Sequence, residues 1–215
     1  AIEIARKEVE DGGTVYTYGE LIHNLTVIDE LRAEGIIPAE TLEEIPAGSN
    51  VIIRSHGVAP KEIKKCRELG LYAVDATCPF VKRIHNIVKK YSDEGYCVVV
   101  FGESRHPEVK GIQGWAKGAV VVSDPEQARE LTHMGKCCLV SQTTACEECF
   151  RQVEEAIRER CDEFVSFDTI CETTRLRQNE AAELSEKCTR MFVIGGHHSS
   201  NTQKLCAICK KYCKT

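Results

Sequence analysis

The chain has 215 residues, ordinary apolar and charged fractions and a formal net charge of −5. That length supports a real hydrophobic core, in one large domain or two small ones. The charge argues against nucleic acid as the main partner, because phosphate neutralisation needs a basic face, and no apolar run approaches the roughly 20 residues that cross a bilayer.

The opening Ala1-Ile2-Glu3-Ile4-Ala5-Arg6-Lys7 is helix-like, with neither an initiator Met nor a signal peptide. A short strand follows at 14–18, then a helix at 24–33 with Leu25, Ile28 and Leu31 at helical spacing, stopped by Gly35. Residues 50–54 form a continuous apolar run, the pattern of a buried parallel strand. Pro60 starts a helix to residue 69, and Gly70 ends it. Strand 71–74 and helix 79–92 come next, the helix carrying Val81, Ile84, Val88 and Tyr91 on one face. The alternation continues with strand 96–101, helix 107–116, strand 119–122, helix 125–132, strand 136–140 and helix 147–160. Strand 163–167, helix 173–187, strand 191–194 and a last helix from Asn201 complete it. Strands separated by helices predict βαβ units and parallel sheets, an α/β fold. The chain ends in a helix with no strand after it, and it reads as a fragment cut at both ends.

Two segments repeat one pattern: Val74-Asp75-Ala76-Thr77-Cys78-Pro79 and Phe167-Asp168-Thr169-Ile170-Cys171-Glu172 both read apolar-Asp-x-x-Cys. Each follows a predicted strand and opens a predicted helix, where open backbone N–H groups favour a negative sulfur. Thiolate is the form that binds metal, so two of them in equivalent places predict a metal cluster held between α/β units. The same two segments are the candidate domain joints. Asp75 and Asp168 read equally well as loop-fixing hydrogen-bond acceptors.

Polar residues gather just past strand ends: His23-Asn24, Arg54-Ser55-His56-Gly57, Gly102 to Glu108, Ser141 to Thr144, and Gly195 to Asn201. Ligands of open α/β sheets bind there, against helix N-termini that hold anions. Three histidines with Ser199, Ser200, Asn201 and Thr143 form a donor set suited to a phosphate or diphosphate. Glu108 is a carboxylate among donors, the place for a proton relay. Each also has a plainer reading. Histidines occur in loops without binding anything, Ser199-Ser200-Asn201 and Gln142-Thr143-Thr144 can be helix caps, and Glu108 suits a helix first turn. His85, His133 and His198 read as surface or packing residues.

Thirteen cysteines in an α/β pattern without a leader point to a reducing, cytoplasmic setting. Cys146-x-x-Cys149, and Cys206-x-x-Cys209 with Cys213, have zinc-like spacing, yet helical spacing alone also explains them. Cys97, Cys137 and Cys138 read as strand fillers, and Cys66, Cys161 and Cys188 as late helix positions.

Seven words in register, over the whole length, resemble the 4-hydroxy-3-methylbut-2-enyl diphosphate reductase family, also called LytB or IspH. They are His23-Asn24, Ser55-His56-Gly57-Val58, Asp75-Ala76-Thr77-Cys78-Pro79, His106-Pro107-Glu108-Val109-Lys110-Gly111, Ser141-Gln142-Thr143-Thr144, Asp168-Thr169-Ile170-Cys171 with Arg177-Gln178, and Ser199-Ser200-Asn201. The resemblance implies three small parallel-sheet α/β modules in pseudo-threefold arrangement around a [4Fe-4S] cluster with three cysteine ligands. The modules would be 1–78, 79–167 and 168–215, the first and third truncated. It implies Cys78 and Cys171 as cluster ligands, and His23, His56, His106, Thr143, Ser199, Ser200 and Asn201 as substrate contacts. It implies Glu108 and Thr143 as catalytic, in a two-electron, two-proton removal of an allylic hydroxyl that yields isopentenyl and dimethylallyl diphosphate. A ferredoxin or flavodoxin is the implied electron donor, with neither nucleic acid nor membrane as partner. The family's first ligand cysteine would lie just before Ala1, so the fragment alone is expected to be inactive. His197 and His198 depart from the family, where a lysine or similar residue is commoner before Ser199. Two other functions compete: a zinc-binding or thiol-rich α/β scaffold without catalysis, and a metal-free phosphate-ester enzyme using the histidines.

Overall fold

The computed structural model describes residues 1–10, 14–21, 24–197 and 199–215. The first part of the chain runs α1 (Ile2–Glu10), β1 (Val15–Tyr18), α2 (Leu25–Ala33), β2 (Ile36–Ala39), β3 (Asn50–Ile53), α3 (Pro60–Glu68) and β4 (Tyr72–Asp75). Its four strands are all parallel, in the order β2-β1-β3-β4. After α4 (Pro79–Asp93) come β5 (Cys97–Phe101), α5 (Pro107–Gln113), β6 (Val120–Val122), α6 (Pro125–Arg129), β7 (Met134–Ser141), α7 (Glu147–Arg158) and β8 (Cys161–Phe167). They build a second parallel sheet, β6-β5-β7-β8, which repeats the order of the first. The protein therefore contains two parallel-sheet α/β modules, followed by α8 (Glu172–Lys187) and α9 (Ser200–Cys209).

Burial on both faces explains the apolar runs. In β5, Val98 and Val100 pack with Ile84 and Val88 of α4 and Val109 and Ile112 of α5. Val99 and Phe101 face the other way, onto Phe150, Val153 and Ile157 of α7. Each such side chain taken fully out of water contributes about 1.5–3 kcal/mol. Cys137 and Cys138 are fully buried in β7, as strand fillers.

Prolines start α3, α4, α5 and α6, where the missing N–H costs nothing and the fixed φ suits a helix. Three differences from the sequence reading have physical causes. Strand β2 was not anticipated: it contains Pro38, which an edge strand paired only with β1 can accommodate. Residues 191–194, expected to be a strand, are not one. No strand among the described residues lies alongside, Phe192 and Ile194 are exposed, and only a single bridge joins Arg190 to Lys214. Cys161 opens β8 rather than ending a helix, with its thiol donating to the Ile157 carbonyl.

The two modules meet at the loop after β3. Trp115 donates its indole N–H to the Val58 carbonyl at 3.0 Å. Gly57 sits there with φ +68, and a Cβ on it would stand 2.5 Å from His85 Cε1. His85 is buried and stacks on Trp115 at 5.1 Å.

Candidate active site

In each sheet the strand order reverses between the first and third strands in sequence, β1 and β3 in one sheet, β5 and β7 in the other. Loops leaving the carboxyl ends at such a reversal diverge and leave a crevice. His56 lies in the loop after β3, His106 and Glu108 follow β5, and Thr143 follows β7. The fourth strands, β4 and β8, deliver Cys78 and Cys171 to the starts of α4 and α8.

Every predicted site residue within the described range lines one cavity of about 250 Å³. These are His56, Cys78, His106, Glu108, Thr143, Cys171, Ser199, Ser200 and Asn201. His23 lies outside the described residues. Phe80 and Val81 add an apolar wall. Ser55, His56 and Ser199 are shared with a wider hollow of about 690 Å³ that reaches Leu21, Asn24 and the chain's first residues.

The two cysteine loops are built alike, which explains the sequence repeat. Asp75 accepts from the Thr77 backbone N–H at 3.0 Å, and Asp168 from that of Ile170 at 3.1 Å. Each aspartate also binds a cation seven residues on: Lys82 at 2.7 Å in the first loop, Arg175 at 2.8 Å in the second. Each loop is thus clamped to the first turns of its own helix, with the cysteine at the N-cap and no side chain capping the open N–H groups. The Cys171 N–H donates to the Thr143 carbonyl, tying the second cysteine loop to the β7 loop.

Glu108 is the buried carboxylate of the site, 2% exposed. It accepts from the Thr143 backbone N–H at 2.6 Å and from the Thr143 hydroxyl at 2.7 Å. Burial pushes its carboxyl up from the usual range, against the opposing effect of those two bonds. His106 caps α5, its Nδ1 accepting from the Glu108 N–H. The His106 and His56 rings meet edge to face at 5.3 Å.

The serines divide. Ser199 caps α9 through a bond from the Thr202 N–H, as its plainer sequence reading had it. Ser200 is buried and donates to Glu103 at 2.7 Å, while the Lys204 ammonium reaches both Ser200 (3.1 Å) and Glu103 (3.2 Å). Burial raises the Glu103 carboxyl, but the Ser200 and Lys204 contacts outweigh it and hold the group below its usual range. Asn201 has a buried Oδ1 with no hydrogen-bond partner among the described residues. Lys204 was not singled out from the sequence, and Glu103 and Thr144 stood there only as members of the polar segments after the strands, without a binding role of their own. The local signal for Lys204 is its spacing of one helical turn from Ser200, whereas Glu103 lies 97 positions from Ser200.

The donor set can be set against the cluster that the resemblance implies. Two thiols open into one cavity beside an apolar wall and an unpartnered buried amide oxygen, which suits a group bridging the two modules. Among the described residues no three His, Cys, Asp or Glu side chains gather to hold a metal. Two cysteine thiols in one cavity are donors of the kind an iron–sulfur cluster takes. Among the described residues neither Cys-x-x-Cys pair gathers the four ligands of a structural zinc.

The LytB protein family matches residues 1–215. A 4-hydroxy-3-methylbut-2-enyl diphosphate reductase of Thermoanaerobacter sp. (strain X514) is 46% identical over 219 residues, covering 100% of this chain and 76% of the relative. The protein of that name from Clostridioides difficile (strain 630) is 40% identical over 215 residues, with 98% and 77% covered. Among solved structures, (E)-4-hydroxy-3-methyl-but-2-enyl diphosphate reductase, described as the terminal enzyme of the non-mevalonate pathway, aligns with TM-score 0.75. Its identity is 37%, over 99% of this chain and 77% of that one. The E-1-hydroxy-2-methyl-but-2-enyl-4-diphosphate reductase of Plasmodium falciparum aligns with TM-score 0.90 at 26% identity, over 99% and 70%. With a family match from first residue to last, and relatives alike in sequence and in fold, the chain belongs to the LytB family.

Proposed function

We propose that this protein is a 4-hydroxy-3-methylbut-2-enyl diphosphate reductase. It removes the allylic hydroxyl of (E)-4-hydroxy-3-methylbut-2-enyl diphosphate with two electrons and two protons, releasing water and giving isopentenyl or dimethylallyl diphosphate. The reading rests on one convergence: two thiols, a buried carboxylic acid group and a cluster of hydrogen-bond donors share a cavity in a chain of this family.

Cys78 and Cys171 would hold two corners of a [4Fe-4S] cluster, with a third cysteine from outside these 215 residues. When bound, the cluster supplies the electrons and a Lewis-acidic iron for a poor leaving group. The chain's own residues do the rest. His56, His106, Ser199, Ser200 and Asn201, with His23, bind the diphosphate, Asn201 through its side-chain NH₂. Thr143 orients the substrate hydroxyl. Glu108 delivers a proton to its oxygen, and burial, by raising the carboxyl, favours the protonated form that this step needs. Phe80 and Val81 help exclude water. We further propose module limits of 1–78, 79–167 and 168–215 in a pseudo-threefold arrangement, and a small ferredoxin or flavodoxin as donor. None of the described helices is long and apolar enough to cross a membrane.

Anaerobic reconstitution of the full-length polypeptide with iron and sulfide tests this. The expected result is a visible charge-transfer band and a spin-resonance signal, both lost together with turnover in Cys78→Ser and Cys171→Ser. Stoichiometric zinc without a cluster signal would support the scaffold reading instead. Unchanged turnover in either variant would support the metal-free reading.

A further inference from the structure

Cys146 and Cys149 have no part in the chemistry above, yet they are arranged as a pair. Cys146 is the N-cap of α7, in extended backbone conformation and without a side-chain cap on the first-turn N–H groups. Cys149 lies three residues on, within the first turn of the helix that Cys146 opens. A Cys-x-x-Cys opening a helix brings two sulfurs within bonding reach and sets the developing negative charge of an attacking sulfur at the helix start.

The two surroundings differ. Cys146 lines a surface groove of about 500 Å³ between α7, α8 and α9. Cys149 packs partly buried against the core that contains Phe150 and Val153. Burial first, and then the neighbouring Cys146 thiol, pushes the Cys149 thiol up to about 11. Both are half-buried, but Cys146 lines the groove and Cys149 lies against the core.

We propose that Cys146 and Cys149 form a reversible disulfide, with Cys146 attacking and Cys149 resolving, and with a low-molecular-weight disulfide as oxidant. In the first step the Cys146 sulfur displaces one thiolate from the external disulfide and becomes a mixed disulfide. In the second, the Cys149 sulfur attacks that of Cys146 and displaces the other thiolate. Two protons leave Cys146 and Cys149 and end on the two released thiols, so the dithiol loses two electrons and the external disulfide gains them.

The pair touches the site by two routes. Cys146 follows Thr143 by three residues, and the intervening Ala145 carbonyl accepts from the buried Gln178 side chain at 3.3 Å. Glu147, between the two cysteines, is ion-paired to Arg175, the residue that also holds Asp168 of the Cys171 loop. Closing the disulfide draws the N-cap toward the helix and loads both connections.

The test uses oxidised glutathione, with peptide mapping and backbone hydrogen exchange as readouts, so its outcome is independent of turnover and of the reductase reading. The expected result is a 146–149 disulfide that dithiothreitol reverses. Cys149→Ser should accumulate a glutathione adduct on Cys146, whereas Cys146→Ser should leave Cys149 largely unmodified. Oxidation should change exchange at 143–146 in the wild type and not in Cys149→Ser. A pair that stays reduced, a first adduct on Cys149, or pairing of either residue with an α9 cysteine would each overturn the assignment. Unchanged exchange at 143–146 would overturn the link to the site.

Discussion

Replacing Glu108 separates its chemical role from its structural one. Glu108→Gln keeps the shape: its amide oxygen can accept from the Thr143 N–H, and its NH₂ can donate to the Thr143 hydroxyl once that hydroxyl turns its own proton away. Both contacts survive at the 2.6 and 2.7 Å positions, so the change in stability should stay within about 1 kcal/mol. Glu108→Ala removes the acceptor altogether. It strands two donors at a site where Glu108 is 2% and Thr143 9% exposed. At about 1–3 kcal/mol for a buried unsatisfied donor, less whatever an entering water recovers, the loss should be about 3 kcal/mol. The pH dependence follows from the raised carboxyl. A carboxyl raised in the folded state contributes stability while protonated and loses that contribution as pH rises through its folded value. The amide does not titrate, so Glu108→Gln should gain on the wild type as pH rises. Urea unfolding followed by circular dichroism at two pH values measures this, and product assay by mass spectrometry measures turnover, which should fall about 10²–10⁴-fold in Glu108→Gln. Wild-type turnover in that variant would refute the proton role, and equal stability of the Gln and Ala variants would refute the Thr143 accounting.

Two further predictions concern the joint between the modules. His85 is 4% exposed, and burial lowers it to about 4 despite the opposing pull of Asp75; the unfolded chain therefore binds its proton first as pH falls. With an unfolded value of about 6.5, lowering pH from about 7.5 to about 5 should cost about 2 kcal/mol through this residue alone. Urea midpoints of His85→Phe, which keeps the stack on Trp115, should lose about that much less over the interval, and identical slopes would dismiss the idea. Gly57→Ala combines a left-handed backbone at φ +68 with a Cβ 2.5 Å from His85 Cε1, whereas Gly48→Ala has φ +82 and open space. The backbone term is about 1 kcal/mol in both, so Gly57→Ala should be the more destabilising by about 2 kcal/mol, and comparable melting temperatures would show that the joint gives way.

Much of the site was legible because its signals are local. Apolar runs, prolines at helix starts and the Asp-x-x-Cys repeat act over a few residues, and the structure supplies the reason for the repeat in the matching aspartate clamps. What was missed depends on partners far along the chain. Strand β2 was hidden by Pro38, which is tolerable only because its other edge has no neighbour among the described residues. Residues 191–194 have the apolar content of a strand, but among the described residues only the single bridge at Arg190 and Lys214 lies beside them, and a strand needs a full ladder.

The amino-acid pattern by itself determined the class of fold, the positions of most elements and which side chains follow the strand ends, because hydrophobic periodicity and turn chemistry are short-range. Tertiary structure alone decided which of those side chains meet. The Glu108–Thr143 bonds join the segments after β5 and β7, the Glu103–Ser200–Lys204 group joins the segment after β5 to α9, and the stacking of His85 on Trp115 joins α4 to the segment after α5, so each needs elements that only packing brings together.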